Sequence, residues 1–404
     1  MYFTLSWRNI WRNKRRTLIA AASVAFAVMV AVMMRSAQLG SYAYMIHSSA
    51  KLFTGYLQLQ GKGYWDDRSI DKSMIVSETQ TQKISTIPHV TSVTPRLETF
   101  SLVSHGLVTK VGQIIGIDPG LEDQMTGLRQ RVAQGAYLPQ NSSGLLIARG
   151  LAEMLKVSVG DSVVLYGQGY HGQIAADRLP VIGIVKLPFP ALNNGLVYLT
   201  LSKAQEVFSA PGRITSTAIM IDNVKHLSAV KQAMHKMVNN KYDLMTWDEM
   251  MPELHQSIQL DNASGIIMLI ILYIVIVFGV FGTVMMMTSE RTREFGILIS
   301  VGMKRVKLAT VTTLETIYLA LLGAFIGTLL SLPMVYYLYA HPIRFTGDAA
   351  KAYEALGIEP LFNFSTDPTI VFNQALVVLL IALATALYPL LFVNRIQPAK
   401  ALKG

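Results

Sequence analysis

Cysteine is absent from this sequence of 404 residues. Its absence excludes disulfide bonds, thiol catalysis, cysteine metal sites and lipid attachment at cysteine. Charged residues are also scarce, because Asp, Glu, Lys and Arg make up 15% of the chain while apolar residues make up 51%. Soluble domains are usually nearer to about a quarter charged, so the composition points away from a purely soluble protein.

The motifs of common catalytic and metal sites are missing as well. The string nearest to a phosphate-binding loop, Gly55–Gly63, has one residue too many and a glycine where Ser or Thr would hold magnesium. The eight histidines are isolated in the sequence and show no H-E-x-x-H or other two-histidine spacing, and no G-x-S-x-G occurs. We therefore expect no catalytic residue, no metal site and no cofactor bound by this chain itself.

The apolar residues are concentrated in four runs that carry no charge apart from Glu315. About 20 helical residues cross the hydrocarbon core of a bilayer, and three of the runs exceed that length, which disfavours buried core helices. A cleaved signal peptide is disfavoured for the first run, because Arg35-Ser36-Ala37 is not a small-x-small cleavage site. Arg35 itself has a stem long enough to reach the interface. The predicted spans are residues 17–39 (with an outward stalk), 263–288, 308–340 and 369–393.

The net charge of +10 lies in three short segments. Residues 1–16, 289–307 and 394–404 together hold 13 basic and two acidic residues, and the rest of the chain is close to neutral. Because these segments lie on one side of a four-span chain, the pattern follows the positive-inside rule and not that of a protein that binds nucleic acid. Both termini and residues 289–307 are therefore predicted to be cytoplasmic, and residues 40–262 and the short loop 341–368 to lie outside.

This pattern predicts a membrane protein with four transmembrane helices and a large α+β domain of two lobes between the first and second helices. Residues 1–16 have apolar and aromatic side chains at helical spacing among arginines, which predicts an amphipathic helix at the inner interface. Residues 40–262 alternate strand-like runs with short helices. The expected strands include Tyr56–Leu59, Val90–Val93, Thr99–Val103, Val111–Ile117, Ser162–Leu165, Val181–Val185, Val197–Thr200 and Thr217–Ile221.

The stretch from Ser289 to Leu308 holds seven charged residues and two glycines between two apolar spans. Acids near its start suit a helix N-terminus, five apolar residues follow, and Gly302 is expected to break the helix. A solvated loop would not need that apolar body, so we expect a partner protein to contact it and to pass displacement into both spans. The predicted coupling residues are Glu290, Arg291, Arg293, Glu294, Phe295, Gly296, Ile297, Leu298 and Gly302.

Small residues in the spans predict close helix packing. Gly323 and Gly327 form a GxxxG motif, and Gly279 and Gly282 add two small positions to the second span. Packing within one chain and contact between two copies are equally compatible with these positions. Glu315 lies near enough to the inner interface to reach a Lys or Arg side chain there.

The segment Thr288–Arg305, TSERTREFGILISVGMKR, resembles the coupling segment of the FtsX-like, MacB-type (type VII) ABC transporter permeases. The resemblance implies a cytoplasmic ABC ATPase dimer that binds ATP and magnesium, a second permease copy or a homologous permease, and a place in a bacterial inner membrane. It covers most of the chain. Further matching motifs are Trp7–Thr17, Gly116-Ile117-Asp118-Pro119, Leu146–Leu155 with Val159-Gly160-Asp161, Leu322–Gly327, Leu387-Tyr388-Pro389 and Pro398–Leu402.

Within the family the sequence is most similar to the lipoprotein-releasing permease subunits, notably in the run Tyr56–Asp67 and at Trp247. This resemblance implies that acylated lipoproteins are extracted from the outer leaflet of the inner membrane and passed to a periplasmic carrier. Two alternatives stay open: a MacB-like efflux permease, to which the residues ERTREFGIL are closer, and a mechanotransmitting regulator of a cell-wall hydrolase. The segment Gly167–Arg178, where a carrier-binding hook would project, is short.

Cargo acyl chains are expected to enter between the first and second spans, in a cleft that opens to the outer leaflet and that two permease copies, or one copy and a homologue, would flank. Membrane lipids are expected as further partners. Methionine adapts its shape to varied apolar partners, and ordinary lipid contact is an equally good explanation for each position taken singly. The expected cleft residues are Met33, Met34, Leu39, Met268, Ile271, Leu272 and Val275.

Overall fold

A computed structural model describes residues 2–12, 14–238, 241–348, 350 and 361–396. The helices in chain order are α1 (Tyr2–Arg12), α2 (Lys14–Ser49), α3 (Tyr64–Asp67), α4 (Glu78–Ser85), α5 (Pro119–Thr126), α6 (Arg149–Leu155), α7 (Pro190–Asn193), α8 (Leu201–Val207), α9 (Leu227–Val238), α10 (Trp247–Met250), α11 (Pro252–Glu290), α12 (Thr292–Ser300), α13 (Arg305–Ala340), α14 (Pro368–Thr385) and α15 (Leu387–Arg395).

The strands in chain order are β1 (Leu57–Gln60), β2 (Val90–His105), β3 (Val108–Ile117), β4 (Val132–Gly135), β5 (Leu145–Ala148), β6 (Ser162–Gln168), β7 (Ile174–Val185), β8 (Leu196–Thr200), β9 (Ser216–Ile221), β10 (Asp243–Thr246), β11 (Ile343–Arg344) and β12 (Leu361–Phe362). The chain divides into two compact units. The helical unit comprises Met1–Tyr42, Ser257–Arg344 and Leu361–Gly404, and the α+β unit comprises Ala43–Gln256 and Phe345–Pro360.

Four helical segments are long and apolar enough to cross a membrane, which confirms the predicted four-span fold. They are Thr17–Thr54, Pro252–Glu290, Arg305–Ala340 and Pro368–Arg395. An α-helix satisfies its backbone hydrogen bonds internally, as a segment in lipid must. The first two segments have 38 and 39 residues. At 1.5 Å per residue each is almost 60 Å long, about twice the thickness of the hydrocarbon core, so both exceed the predicted span lengths.

The core of the helical unit is built from small and β-branched side chains. Val24, Val28 and Val32 of α2 pack with Val280 and Val284 of α11, together with residues of α13 and α14. The β-branched side chains among them have few accessible χ1 rotamers. The four spans therefore form one packed bundle within the chain.

The α+β unit confirms the predicted fold class and is organised around one ten-stranded mixed sheet. Its order is β10-β1-β9-β2-β3-β8-β5-β7-β4, and β6 pairs with β2 and β7. The β3–β8 and β5–β7 pairs are parallel, and the others are antiparallel. Two apolar clusters lie on this sheet, one around Leu151, Val163 and Leu199 and the other around Ile117 and Leu146.

Strand β2 differs from the prediction, because the two expected strands Val90–Val93 and Thr99–Val103 are parts of one strand of 16 residues. Its first part pairs with β9, and from Arg96 onward it pairs with β3. Polar residues in the middle, Arg96 and Glu98, interrupt the apolar pattern, yet both are buried. The local sequence therefore resembles a loop where the chain in fact runs through the centre of the sheet.

Buried polar partners explain that polar stretch. Nε and Nη2 of Arg96 donate to the two carboxylate oxygens of Glu122 at 2.9 and 2.7 Å, and the Glu98 carboxylate accepts from Ser216 Oγ at 2.8 Å. Burial alone would lower the pKa of Arg96, but the Glu122 carboxylate outweighs it and holds that pKa above its ordinary value. Glu122 lies in the first turn of helix α5. Asp118 caps the N-terminus of this helix and Pro119 occupies its first turn, so the start of the helix is well defined.

Candidate functional site: the cytoplasmic helix and the spans it joins

Helix α12 follows α11 almost at once and is the body of the predicted coupling segment. Glu294 lies in its first turn, where a negative charge suits the helix dipole. The helix ends at Ser300, and Gly302 has φ +104°, a conformation that residues with a side chain rarely adopt. A short turn then leads into α13 at Arg305, so α12 is held between the ends of two spans.

One face of α12 is buried inside the chain. Phe295 is 1% exposed and packs with Leu308 and Ala309 of α13 and with Val393 and Ile396 at the end of α15. Arg305 strengthens this junction by donating to the backbone oxygens of Asn394 at 2.7 Å and Ile396 at 3.0 Å. The expectation that the apolar body of the segment faces a partner therefore needs correction, because Phe295 and Gly296 are buried and hold the helix in place.

The other face of α12 is open. Ile297 and Leu298 are exposed, Val301 beyond the helix end is 82% exposed, and Arg293 and Glu290 are also at the surface. Exposed apolar side chains beside charges are a common composition for a docking surface. Ile297, Leu298, Val301 and Arg293 are among the exposed residues of this segment and are accessible to another protein.

Helix α1 packs against α13 beside this junction. The Ser6 hydroxyl donates to the backbone oxygen of Val311 at 3.1 Å, and the rings of Trp7 and Tyr318 meet edge to face with centroids 5.9 Å apart. Phe3 and Trp11 stay exposed. One face of α1 is therefore fixed to the bundle while the aromatic face is available to the membrane interface.

A polar network joins α1, α12 and α13. Arg12 Nη2 donates to both carboxylate oxygens of Glu294 at 2.7 Å. Arg291 Nη1 donates to Glu315 at 2.6 Å, and Asn9 Nδ2 donates to the other oxygen of Glu315 at 2.8 Å. Asn9 and Arg12 were missed by sequence reasoning, since nothing local links them to residues about 300 positions away.

Electrostatics favour the ionised form of Glu294. Burial alone would raise the pKa of Glu294, but the hydrogen bonds from Arg12 and Arg291 outweigh it and hold the pKa below its ordinary value. Glu315 is 5% exposed, and a charge buried to that degree persists only when it is paired and hydrogen-bonded. Arg291 is the basic side chain that Glu315 was expected to reach.

The four predicted packing glycines fall into two pairs. A Cβ added to Gly323 or Gly327 would lie within 3 Å of Val24 or Val28 of α2, so these glycines allow α13 to approach α2 closely. A Cβ added to Gly279 or Gly282 would meet no heavy atom within 4 Å among the described residues. The second pair lies on an exposed face of α11, where lipid or another chain would cover it.

The predicted cleft residues do not share one surface. Met33 and Leu272 are half-buried and pack against the core of the bundle, and Met34 and Leu39 have intermediate burial. Met268, Ile271 and Val275 are each more than half exposed and lie on one side of α11, because they are spaced three and four residues apart. The exposed apolar face of α11 is therefore the part of the expected cleft that lipid chains can reach.

Polar contacts join α2 and α11 near their outer ends. Arg35 Nη1 donates to Asn262 Oδ1 at 2.7 Å, and Gln38 Nε2 donates to the backbone oxygen of Asp261 at 3.0 Å. The Tyr42 hydroxyl donates to the Asp261 carboxylate. Arg35 therefore donates to Asn262 of the same chain, beyond the expectation that it only reaches the membrane interface. We call these contacts the outer clasp.

The segment Gly167–Arg178 forms the end of a hairpin. Strands β6 and β7 pair from Ser162↔Pro180 to Gln168↔Ile174, which leaves only a tight turn and no long projecting loop. Beside it an open groove of about 600 Å³ is lined by Phe100, Leu102, Val111, Tyr166 and Ile174 among others. The segment Gly167–Arg178 is therefore a short hairpin beside a groove with apolar lining residues.

Comparisons with known proteins agree with this architecture. The family described as MacB-like periplasmic core domain matches residues 17–237, and the family described as FtsX-like permease C-terminal matches residues 266–398. The lipoprotein-releasing system transmembrane protein LolC of Xylella fastidiosa (strain 9a5c) is 24% identical over 79% of this chain and 79% of its own length.

Two other similarities involve proteins named MacB. The macrolide export ATP-binding/permease protein MacB of Burkholderia cenocepacia (strain HI2424) is 21% identical over 81% of this chain, which spans only 49% of that protein. The solved periplasmic region of MacB from Actinobacillus actinomycetemcomitans has 16% sequence identity and a TM-score of 0.35, covering 50% of this chain and 91% of that one.

Proposed function

Since this chain belongs to the FtsX-like permeases that carry a MacB-like periplasmic core domain, we propose that it extracts lipoproteins from the outer leaflet of the inner membrane for transfer toward the outer membrane. The chain is an ABC transporter permease of the type VII family in the inner membrane. The similarity to LolC, which spans 79% of both proteins, supports lipoprotein as the cargo.

In this proposal the energy comes from a cytoplasmic ATPase dimer that holds ATP and magnesium. The observation that carries it is the fixation of α12 by Phe295 and by the Arg12–Glu294 and Arg291–Glu315 pairs. Because α12 is held to α1, α13 and the end of α15, a force that the ATPase exerts on the exposed face of α12 would be transmitted to the spans. Ile297, Leu298, Val301 and Arg293 are the proposed docking residues, and the other predicted coupling residues position them.

Cargo chains would pass along the exposed face of α11. The outer clasp closes α2 against α11 within one chain, so the open apolar face of Met268, Ile271 and Val275 would meet a second copy or a homologous permease. Gly279 and Gly282 continue that face inward and allow close approach of another helix. Acyl chains suit such a surface, because it offers apolar area without hydrogen-bond donors to satisfy.

Copurification tests the cargo. The permease, expressed with its ATPase and purified in mild detergent, should carry acylated proteins that mass spectrometry identifies by their lipid-modified N-terminal cysteine. Ile271→Gln with Val275→Gln should reduce the recovered lipoprotein, whereas Leu380→Gln, at an exposed position of α14, should not. Preparations without acylated protein, or equal recovery from all variants, would count against lipoprotein extraction.

A second candidate is export of a periplasmic substrate, as in the relatives named macrolide export proteins. The observation that favours it is the sequence of α12 itself, which is closer to the MacB-like form. In that case the apolar groove beside the β6–β7 hairpin would contact an adaptor protein. The test is macrolide tolerance of cells with and without this chain. Tolerance that requires the chain, together with a purified complex that holds no lipoprotein, would favour export.

A further inference from the structure

We propose that His89, Asp222 and His226 form a binding site for a divalent transition metal ion, with zinc as the ion that best fits the three ligands. The sequence predicted no metal site, because the histidines are isolated along the chain. In the folded α+β unit, however, two of these histidines lie together with a carboxylate. No part of the proposed function depends on this site.

The sheet positions the three residues. His89 immediately precedes β2 and Asp222 immediately follows β9, and the adjacent residues Val90 and Ile221 are paired in the antiparallel register. The backbone N–H of Asp222 donates to the backbone oxygen of His89 at 3.0 Å. His226 closes the 3₁₀ turn Val224–His226 that leads into α9. The ligands therefore come from two paired strand ends and one turn, all of which have fixed backbones.

The side chains already converge. Nδ1 of His89 lies 2.9 Å from one Asp222 carboxylate oxygen, and Nδ1 of His226 lies 2.8 Å from the other. The two imidazole rings are stacked with centroids 3.7 Å apart. One ligand atom from each residue lies within 4.8 Å of the others. Zinc–ligand bonds of 2.0–2.1 Å place ligand atoms about 3.3 Å apart in a tetrahedron, so small side-chain rotations suffice.

The ligand set selects the class of ion. Two imidazole nitrogens with one carboxylate suit Zn²⁺, Ni²⁺ or Cu²⁺, whereas Ca²⁺ and Mg²⁺ prefer all-oxygen sites. His89 and Asp222 are exposed, so an ion can reach the site and water can complete its coordination. Binding through the Nδ1 atoms would replace the two hydrogen bonds to Asp222, and the proton of each neutral imidazole would then lie on Nε2.

The backbone of His89 is also held in an uncommon conformation. Its φ is +73°, in the left-handed region that residues with a side chain occupy uncommonly. Such conformations persist where the surroundings over-determine them, and they cluster at ligand sites. A bound ion would join the start of β2 to the segment after β9 and stabilise the folded α+β unit by mass action.

The test is a zinc titration of the full chain, purified in detergent and stripped with a chelator, in competition with a zinc-sensitive dye. The wild type should hold one equivalent that raises the midpoint of thermal unfolding. Loss of a residue that merely supports a metal ligand costs 10- to 100-fold in affinity, so His89→Gln and His226→Gln should each weaken binding at least about tenfold. His235→Gln, in α9 outside the cluster, is the matched control.

Cobalt gives a readout that needs no variant. Co²⁺ added to the wild type should produce visible d–d absorption from a site with nitrogen ligands, and one equivalent of Zn²⁺ should abolish it. Unchanged zinc affinity in the His89→Gln/His226→Gln double variant would overturn the proposal. A wild type that shows neither stoichiometric zinc binding nor cobalt absorption would overturn it equally.

Discussion

Arg12 and Glu294 are 282 positions apart in the sequence, yet Arg12 Nη2 donates to both carboxylate oxygens of Glu294 at 2.7 Å. The contact ties the N-terminal helix to the cytoplasmic helix between the second and third spans. Arg291, in turn, pairs with Glu315 inside the third span. The two ion pairs connect α1, α12 and α13, and the proposed coupling depends on this connection.

Breaking the first pair should weaken coupling. Arg12→Gln or Glu294→Gln should lower the ATPase activity of the reconstituted complex by roughly twofold to fivefold, since exposed ion pairs contribute at most about 1 kcal/mol. The exchanged double variant Arg12→Glu/Glu294→Arg should recover much of the activity. Arg8→Gln, at an exposed position of the same helix, is the control. An equal loss in the control would assign the effect to positive charge at the membrane and not to the pair.

The same pair predicts a pH dependence. Because Arg12 and Arg291 hold the pKa of Glu294 below its ordinary value of 4.5, the contribution of the pair to stability is fully present above that value. It is lost as the pH falls through the lowered pKa. Spin labels on Arg8→Cys and Arg293→Cys, in a chain with no other cysteine, should report separation of α1 from α12 as the pH falls through the lowered pKa of Glu294. Glu294→Gln should remove the pH dependence, and an unchanged transition in that variant would refute the assignment.

Variants of Phe295 and Ile297 should distinguish the residue that holds α12 in the bundle from the residue that contacts the ATPase. Phe295→Ala removes a buried ring from the cluster with Leu308 and Val393 and should destabilise the helical unit by about 3–5 kcal/mol. Ile297→Ala changes an exposed side chain and should alter stability by no more than about 0.5 kcal/mol, while it weakens ATPase binding. Thermal unfolding and pull-down of the ATPase measure the two effects. Strong ATPase binding by Ile297→Ala would exclude the open face of α12 as the dock.

The Arg96–Glu122 pair should be critical to the α+β unit. Both side chains are at most 2% exposed, and removing one partner leaves a buried charge that costs about 3–5 kcal/mol. Arg96→Met alone should therefore lower the midpoint of thermal unfolding strongly, and Arg96→Met/Glu122→Leu should recover most of the loss. A double variant no more stable than Arg96→Met would show that the hydrogen bonds to neighbouring groups matter more than charge compensation.

The sequence predicts features that depend on neighbouring residues and misses those that depend on distant ones. The four spans follow from local hydropathy, and the topology follows from the charges at their ends. The sequence predicts two separate strands, Val90–Val93 and Thr99–Val103, where β2 is continuous, because Arg96 and Glu98 are polar and their partners Glu122 and Ser216 lie elsewhere in the chain. Local polarity does not reveal that a polar residue is buried and paired.

The candidate sites show the same limit. The position of α12 follows from the pattern of charged and apolar residues between the second and third spans. That pattern does not show which apolar residues face inward, since Phe295 and Ile297 are both apolar. The partners Asn9 and Arg12, and the His89–Asp222–His226 cluster, are brought together only by the packed helices and by the sheet register. Each of these contacts joins residues that no sequence window contains.

The most direct test of the account is ATP-dependent release of a lipoprotein from reconstituted vesicles. Vesicles would contain the permease, its ATPase and one triacylated lipoprotein, with a soluble lipoprotein carrier outside them. The measurement is the lipoprotein recovered on the carrier with and without ATP. We expect release that requires ATP and that falls in Arg12→Gln and in the Ile271→Gln/Val275→Gln variant. Lipoprotein that stays in the vesicles while ATP is hydrolysed at the normal rate would contradict the proposed function.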